Sequence, residues 1–322
     1  MRAAVYRETG EARDVLHVED VDRPGPGPGE VRVRVHVSAV NPTDVKARSG
    51  AVPRPIDAFQ IPHQDGAGVI DAVGSGVDEA RVGQRVWLWM AATDRWGSAA
   101  EWTVVPDAQA VALPDSASFE LGAHLGVPAM TAHHCLFADG SLEGKSVLVA
   151  GGAGAVGHFT IELARRSGAR VVSTVSGPEK GELAIAAGAH AVVDYTADGA
   201  LDQLTAFAPR MDRIVEVNVG ANLAMDLQLA GPETTIVSYA ASGTDPTLPV
   251  RACMSANVTL RFVLLYGVPR PQLESAAVAI TEALEAGALT TLPTHRFTLD
   301  DIAAAHEAQE SNATGKVLVD LA

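Results

Sequence analysis

Ala150-Gly151-Gly152-Ala153-Gly154-Ala155-Val156-Gly157 is the stretch on which the reading of this chain turns. It directly follows the apolar run Val147-Leu148-Val149-Ala150 and opens a helical pattern from Val156 to Ser167. Gly152, Gly154 and Gly157 stand at G-x-G-x-x-G spacing in a strand-turn-helix context. There the backbone can approach a pyrophosphate, and the helix N-terminus offers N–H donors and a positive dipole. A tight structural turn accounts for one or two of the glycines but not for all of them. Gly151, Gly152, Gly154, Ala155, Val156 and Gly157 are therefore expected to hold a dinucleotide.

Working outward, strands and helices alternate: Arg170 to Val175 then Lys180 to Ala187, Ala191 to Asp194 then Leu201 to Phe207, Arg213 to Val217 then Ala221 to Leu229, and finally Thr235 to Ser238. Repeated β-α units of this length predict a doubly wound parallel sheet with helices on both faces. An NAD-binding version of this arrangement places an acid about twenty residues on, at the end of the second strand, to bind the ribose 2'-hydroxyl. Here that strand ends Val175-Ser176-Gly177-Pro178-Glu179-Lys180. The acid is absent, and a hydroxyl followed by a lysine suits a 2'-phosphate, so NADPH is expected.

Upstream, Val31, Val33, Val35 and Val37 alternate with Arg32, Arg34, His36 and Ser38, the period of a strand with one buried face. Pro24-Gly25-Pro26-Gly27-Pro28-Gly29 precedes it and must be a surface loop. Short apolar runs at Gly68 to Gly74, Val82 to Leu88 and Ala99 to Val105 suit a mostly antiparallel, barrel-like domain. Downstream, after a β-rich run from Val258 to Tyr266, a helix pattern from Pro271 to Glu285 and the closing elements Leu299 to Gln309 and Lys316 to Leu321 are expected to return to that first domain.

The 322 residues fit two domains at roughly 150 residues each. With 47% hydrophobic and 20% charged residues the chain is globular. A net charge of -15 weighs against general nucleic-acid binding, and the few aromatics weigh against RNA in particular. Two cysteines, Cys135 and Cys253, cannot build a disulfide framework or a four-cysteine zinc site, so a reduced, cytoplasmic protein is expected. No stretch approaches the ~20 apolar residues of a spanning helix, and no repeat period stands out.

Further motifs then fall into a known order: Asn41-Pro42-Thr43-Asp44 with Arg48-Ser49-Gly50, Asp65-Gly66-Ala67-Gly68-Val69-Ile70 with Val73-Gly74, Gly83-Gln84-Arg85-Val86, the glycine turn, Gly188-Ala189 with Asp194-Tyr195, and Ala313-Thr314-Gly315-Lys316. Over nearly the whole chain this resembles the zinc-free quinone oxidoreductases, the zeta-crystallin-like branch of the medium-chain dehydrogenase/reductase superfamily. The resemblance implies a split GroES-like catalytic domain, residues 1–125 and 265–322, around an NADPH-binding Rossmann domain at 126–264. It places Ser176, Lys180 and Tyr195 at the 2'-phosphate, Gly177 among the cofactor-binding residues, and Asn218 beside the adenine-ribose half. Thr131, Asn41, Ser238, Tyr239, Ala240, Phe262 and Leu264 fall near the nicotinamide, with Lys316 approaching the cofactor or its cleft.

Departures from the family matter equally. Gln64 stands where zinc-dependent relatives place a ligand histidine, so no metal is expected, and His63, His133 and His134 read as ordinary histidines. Lys46 occupies the place of a tyrosine common in quinone reductases, and Ala51 and Val52 replace the enoyl-reductase tyrosine after Gly50. Asn41 is the expected polariser of a substrate oxygen, with Lys46 assisting if it points inward. The expected activity is hydride transfer from NADPH to quinones or similar activated carbonyl compounds. The alternatives are a 2-alkenal or enone reductase and a non-catalytic NADPH- or RNA-binding protein. A homodimer is expected from edge pairing of the Val258 to Tyr266 run.

Overall fold

The computed structural model describes residues 1–52, 54–241 and 245–321, divided into two compact units, residues 1–127 with 291–321 and residues 128–290. The first unit opens with an antiparallel pair, β1 (Arg2–Val5) and β2 (His17–Asp20), joined through the short α1 (Ala12–Val15). Its central strand is β3 (Glu30–Ala39), whose four valines are buried as their alternation requires. Ser38 departs from that alternation and is buried too, because its hydroxyl bonds His63 Nδ1 and Ser98 Oγ, each at 2.8 Å.

After α2 (Pro42–Ser49) follow β4 (Asp65–Val73), β5 (Arg85–Leu88), β6 (Trp102–Pro106) and β7 (Ala110–Ala112). One edge of β3 pairs with β4; along the other edge its partner is β6 over the first half. Val31, Val33, Ile70, Val86, Leu88 and Val105 fill the core between these strands. Trp87 and Trp89 are buried packing residues. Gly68 is obligatory in this sheet, since a Cβ would sit 2.0 Å from the Arg34 carbonyl oxygen on β3. The helix α3 (Phe119–Phe137) carries the boundary between the units, which falls before Pro128.

The second unit runs β8 (Ser146–Ala150), α4 (Ala155–Arg166), β9 (Arg170–Val175), α5 (Pro178–Ala186), β10 (Ala191–Asp194), α6 (Ala200–Phe207), β11 (Met211–Glu216), α7 (Val219–Leu229), β12 (Ala230–Ser238), α8 (Val250–Ala256), β13 (Thr259–Phe262) and α9 (Arg270–Glu285). Among the described residues its six strands are all parallel in the order β10-β9-β8-β11-β12-β13. Counted within this sheet that is 3-2-1-4-5-6, the doubly wound dinucleotide-binding order, with its reversal point between β8 and β11. Leu148, Val172, Val193, Ile214 and Ile236 on the strands pack with Leu204 and Leu223 on the helices.

The chain returns to the first unit at Thr291 rather than near Leu265. The segment before the return is tied to α4: Thr290 donates from its N–H (3.0 Å) and hydroxyl (2.6 Å) to Glu162 Oε1. Thus β13 and α9 extend the parallel unit, and only β14 (Thr294–Thr298), α10 (Ile302–Glu310) and β15 (Lys316–Asp320) complete the first. There β14 and β15 lie parallel, and β15 takes over from β6 as the partner of the end of β3, setting Leu318 opposite Ala39. Leu299, Ile302, Ala305, Val317 and Val319 join Ala4, Val5 and Val40 in a second core of this unit.

Candidate functional site

In the first unit the register of three strands brings four polar side chains together. Asn41 caps α2 just beyond the end of β3; Asp65 opens β4, opposite Ala39; Lys316 opens β15. Asp44, three residues into α2, accepts a hydrogen bond from the Asn41 backbone N–H (2.8 Å), the return half of a capping box. The Asn41 side chain is turned elsewhere: its Nδ2 donates to Asp65 Oδ2 (2.7 Å), and its Oδ1 accepts from Lys316 Nζ (2.6 Å).

The amide orientation follows from chemistry. An ammonium can only donate and an ionised carboxylate can only accept, so Oδ1 must face the lysine and Nδ2 the aspartate. One Nδ2 hydrogen is engaged and the second remains for another acceptor. Asp65 also accepts the Val127 N–H through Oδ1 (2.7 Å), and its Oδ2 lies 3.8 Å from Lys316 Nζ. The approach of α3 requires glycine at 126, where a Cβ would stand 2.0 Å from Asp65 Oδ1.

The four residues are nearly sealed: Asn41 is 2% exposed, Asp44 4%, Asp65 0% and Lys316 2%. Burial pushes Asp65 up to about 6 against the pull of Lys316, and burial together with the charge of Asp65 pushes Asp44 up to about 7. Burial lowers the Lys316 pKa, against the opposing fields of Asp65 and Asp44.

Lys46, expected to assist Asn41, has its side chain on the exposed side of α2; the lysine bonded to Asn41 is Lys316. Sequence reasoning misses Asp44 and Asp65 as site residues, although both lie within the Asn41-Pro42-Thr43-Asp44 and Asp65-Gly66-Ala67-Gly68 motifs. The available signals were the N-x-x-D spacing of Asn41 and Asp44 and an acid at the head of the glycine-rich strand Asp65-Gly66-Ala67-Gly68. His63, with φ of 78°, sits two residues before Asp65 and has Nε2 3.0 Å from His306 Nε2. Burial lowers the pKa of both rings, which favours a neutral pair.

In the second unit the expected cofactor residues follow the carboxyl ends of successive parallel strands, the rim where such sheets bind ligands. The glycine turn follows β8, with Gly154 capping α4. A Cβ at Gly152 would meet Ser173 Oγ at 2.1 Å, and one at Gly157 would meet the Gly151 carbonyl oxygen at 2.3 Å. Ser176, Gly177 and Lys180 follow β9, and Lys180 Nζ donates to Ser176 Oγ (2.9 Å). Tyr195 follows β10 beside them, its N–H bonded to the Val175 carbonyl (3.1 Å), with an exposed ring. Asn218 caps α7 after β11, Ser238, Tyr239 and Ala240 lie at the end of β12, and Phe262 and Leu264 at the end of β13. Thr131 is buried on α3.

The sequence pattern of the alcohol dehydrogenase GroES-like domain matches residues 27–115, and that of the zinc-binding dehydrogenases matches residues 155–285. Human quinone oxidoreductase is 29% identical over 324 aligned residues, covering 99% of this chain and 97% of that protein. The chain belongs to the quinone oxidoreductase branch of the medium-chain dehydrogenase/reductase superfamily.

A mycobacterial protein solved with NADPH superposes with a TM-score of 0.85 at 28% identity, over 99% of this chain and 100% of that one. An NAD-dependent alcohol dehydrogenase superposes at 0.90 and 26% identity over the whole of both chains, so the fold alone does not choose between NADH and NADPH. A tomato 2-methylene-furan-3-one reductase is 35% identical over 206 residues, 61% of this chain and 52% of that protein.

Zinc, which one of the matching family descriptions implies, does not suit this chain's residues. Gln64 binds the Ala92 backbone through both ends of its amide, Nε2 to the carbonyl (3.3 Å) and Oε1 from the N–H (3.2 Å). Burial drives the Cys135 thiol up to about 12, away from the thiolate a metal needs. Among the described residues no three His, Cys, Asp or Glu side chains are grouped to hold an ion, and no helix is long and apolar enough to cross a membrane.

Proposed function

We propose that this chain is an NADPH-dependent, zinc-independent reductase of quinones and similarly activated carbonyl compounds. The observation that carries the reading is the Asn41 carboxamide, fixed by Lys316 and Asp65 with a donor hydrogen to spare. A buried, preoriented donor stabilises charge developing on a substrate oxygen better than a mobile one, because no reorganisation is needed during reaction. NADPH supplies the hydride when bound. Residues 128–290 are the proposed cofactor domain: the backbone of Gly151, Gly152, Gly154, Ala155, Val156 and Gly157 takes the pyrophosphate, and Ser176, Gly177, Lys180 and Tyr195 take the 2'-phosphate. Asn218 serves the adenine-ribose half, and Thr131, Ser238, Tyr239, Ala240, Phe262 and Leu264 the nicotinamide half. Residues 1–127 and 291–322 are the catalytic domain, where Lys316 acts on Asn41 rather than as a free surface charge.

NADPH oxidation with a panel of quinones and 2-alkenals, run with a chelator present, tests this. Electron-poor quinones should turn over fastest, since a hydroquinone anion is weakly basic and tolerates slow protonation. Faster turnover of alkenals than of every quinone would shift the assignment to enone reduction, the reading favoured by the tomato relative. Loss of activity to the chelator would overturn zinc independence.

A homodimer is part of the same proposal. At the sheet edge β13 has β12 as its neighbour, and Phe262 and Leu264 are 72% and 67% exposed there. An apolar sheet edge of this kind pairs readily with its own copy. Light scattering at micromolar concentration should give about twice the 33.4 kDa chain mass; a monomeric mass removes the idea. A cytoplasmic location is supported by two cysteines that are both free.

A further inference from the structure

We propose that Asp44 is the proton donor of this site, held as a neutral carboxylic acid by the charge balance of its buried neighbours. The inference rests on the reductase reading above and supplies what that reading lacks, a source for the proton that follows hydride transfer.

Two carboxyl groups and one amine are buried around Asn41, and an uncompensated charge there is costly. Lys316 balances one anion, and the more weakly acting Arg54 is outweighed by the desolvation of Asp44, so one carboxyl keeps its proton. Asp65 is the anion: both of its oxygens accept N–H donors, from Val127 and from Asn41, and a proton on either would displace one of those bonds. It is also the carboxyl nearest Lys316, at 3.8 Å.

Asp44 is placed differently. Oδ2 accepts the Asn41 N–H, while Oδ1 accepts no hydrogen bond from the described residues. Oδ1, the oxygen that accepts no such bond, is therefore the one able to carry the proton. Asp44 lines a small pocket, with room for about one water, together with Tyr6, Arg54, Gln60 and Gln64. The charged and titratable groups acting on Asp44 are Asp65 from β4, which favours the acid form, and Lys316 from β15 and Arg54 after α2, which oppose it; Tyr6 faces the same pocket. Desolvation outweighs these opposing fields, and the carboxyl titrates near 7.

In the step itself the reduced substrate carries an oxyanion. The Asp44 O–H bond breaks as the product O–H bond forms, Asp44 is left as a carboxylate beside Lys316, and solvent returns the proton through the pocket. Nothing is oxidised or reduced in this transfer.

The pH profile of turnover is the test. With a slow substrate whose product anion is strongly basic, such as an enone, kcat should fall as pH rises through about 7 and show a solvent deuterium isotope effect. Asp44→Asn keeps an oxygen for the Asn41 N–H. It should lower kcat for that substrate by roughly 10²-fold, with KM little changed, and remove the alkaline limb. Asp44→Glu should restore the limb at a shifted pH. An unchanged profile in the asparagine variant overturns the proposal, as does an equal loss with an electron-poor quinone. Infrared difference spectroscopy separates this proposal from the functional one: the wild-type protein should show a carboxylic-acid C=O band near neutral pH that Asp44→Asn lacks. If the band is missing while quinones are reduced, the proton donor is wrong and the reductase reading stands; if the band is present but no acceptor is reduced, the reductase reading fails and takes the donor's role with it.

Discussion

Lys316→Met should be the most damaging single substitution in the first unit, and its cost should grow with pH. Among the described residues the lysine is the one cation hydrogen-bonded to Asn41, and removing it leaves Asp65 as an uncompensated buried carboxylate. Breaking a buried pair in this way costs about 3 to 5 kcal/mol when the remaining charge cannot escape. Asp65 can escape by taking up a proton, since burial already holds its pKa above the ordinary 3.8, at about 6. A carboxyl whose folded pKa is raised contributes its full stability below the unfolded value and loses it as pH rises through the folded value. Without Lys316 the folded value rises further, so the variant should approach wild-type stability near about pH 5 and fall well below it near about pH 8. Urea denaturation at the two pH values measures this directly; an equal loss at both would mean that packing, not charge, holds the lysine. Activity should drop as well, by as much as ~10²-fold, because the Asn41 amide loses the contact that fixes its orientation.

The contrast between Lys316 and Lys46 shows where sequence reading stops. Both are lysines near motif residues, and from the sequence either could bring a charge to the site. Lys46 lies on a short helix whose polar face meets solvent. Lys316 follows Gly315, where φ is 110° and a Cβ would lie 2.1 Å from the Pro293 carbonyl oxygen, so the chain enters β15 through a turn that carries the lysine inward. Its partner Asn41 is 275 residues away. Local periodicity cannot report such a pairing, which depends on β15 docking beside β3 in one register.

The parallel sheet was legible for the opposite reason. Each β-α unit announces itself within about thirty residues, and the glycine turn marks where strand order reverses. The point of return to the first unit was not legible. The amphipathic pattern of Pro271 to Glu285 says that one face of a helix needs cover, not which body covers it; the structure assigns that helix to the parallel unit, where Thr290 bonds to α4.

Cofactor choice should be decided by two side chains at the tip of β9. A 2'-phosphate brings ~1.5 to 2 negative charges at neutral pH, as phosphate monoesters do, into a chain of net charge -15. Discrimination must come from a local group, and Lys180, already bonded to Ser176 Oγ at 2.9 Å, is positioned to be that group. The pair is half-buried beside Tyr195, so an incoming phosphate would exchange with a hydroxyl rather than recruit a distant side chain. Charge-assisted hydrogen bonds contribute roughly 1.5 to 3 kcal/mol each. Lys180→Ala should therefore weaken NADPH binding by about ten- to a hundredfold and leave NADH nearly unchanged. Ser176→Asp should go further, because the new carboxylate repels the phosphate and offers the 2'-hydroxyl of NADH an acceptor, which makes it the variant most apt to reverse the preference. Fluorescence titration of both cofactors against both variants settles the matter. Equal weakening of NADPH and NADH would place the phosphate elsewhere on the rim, and wild-type protein that binds the two equally would leave the Ser176–Lys180 pair with a structural task only, closing the start of α5.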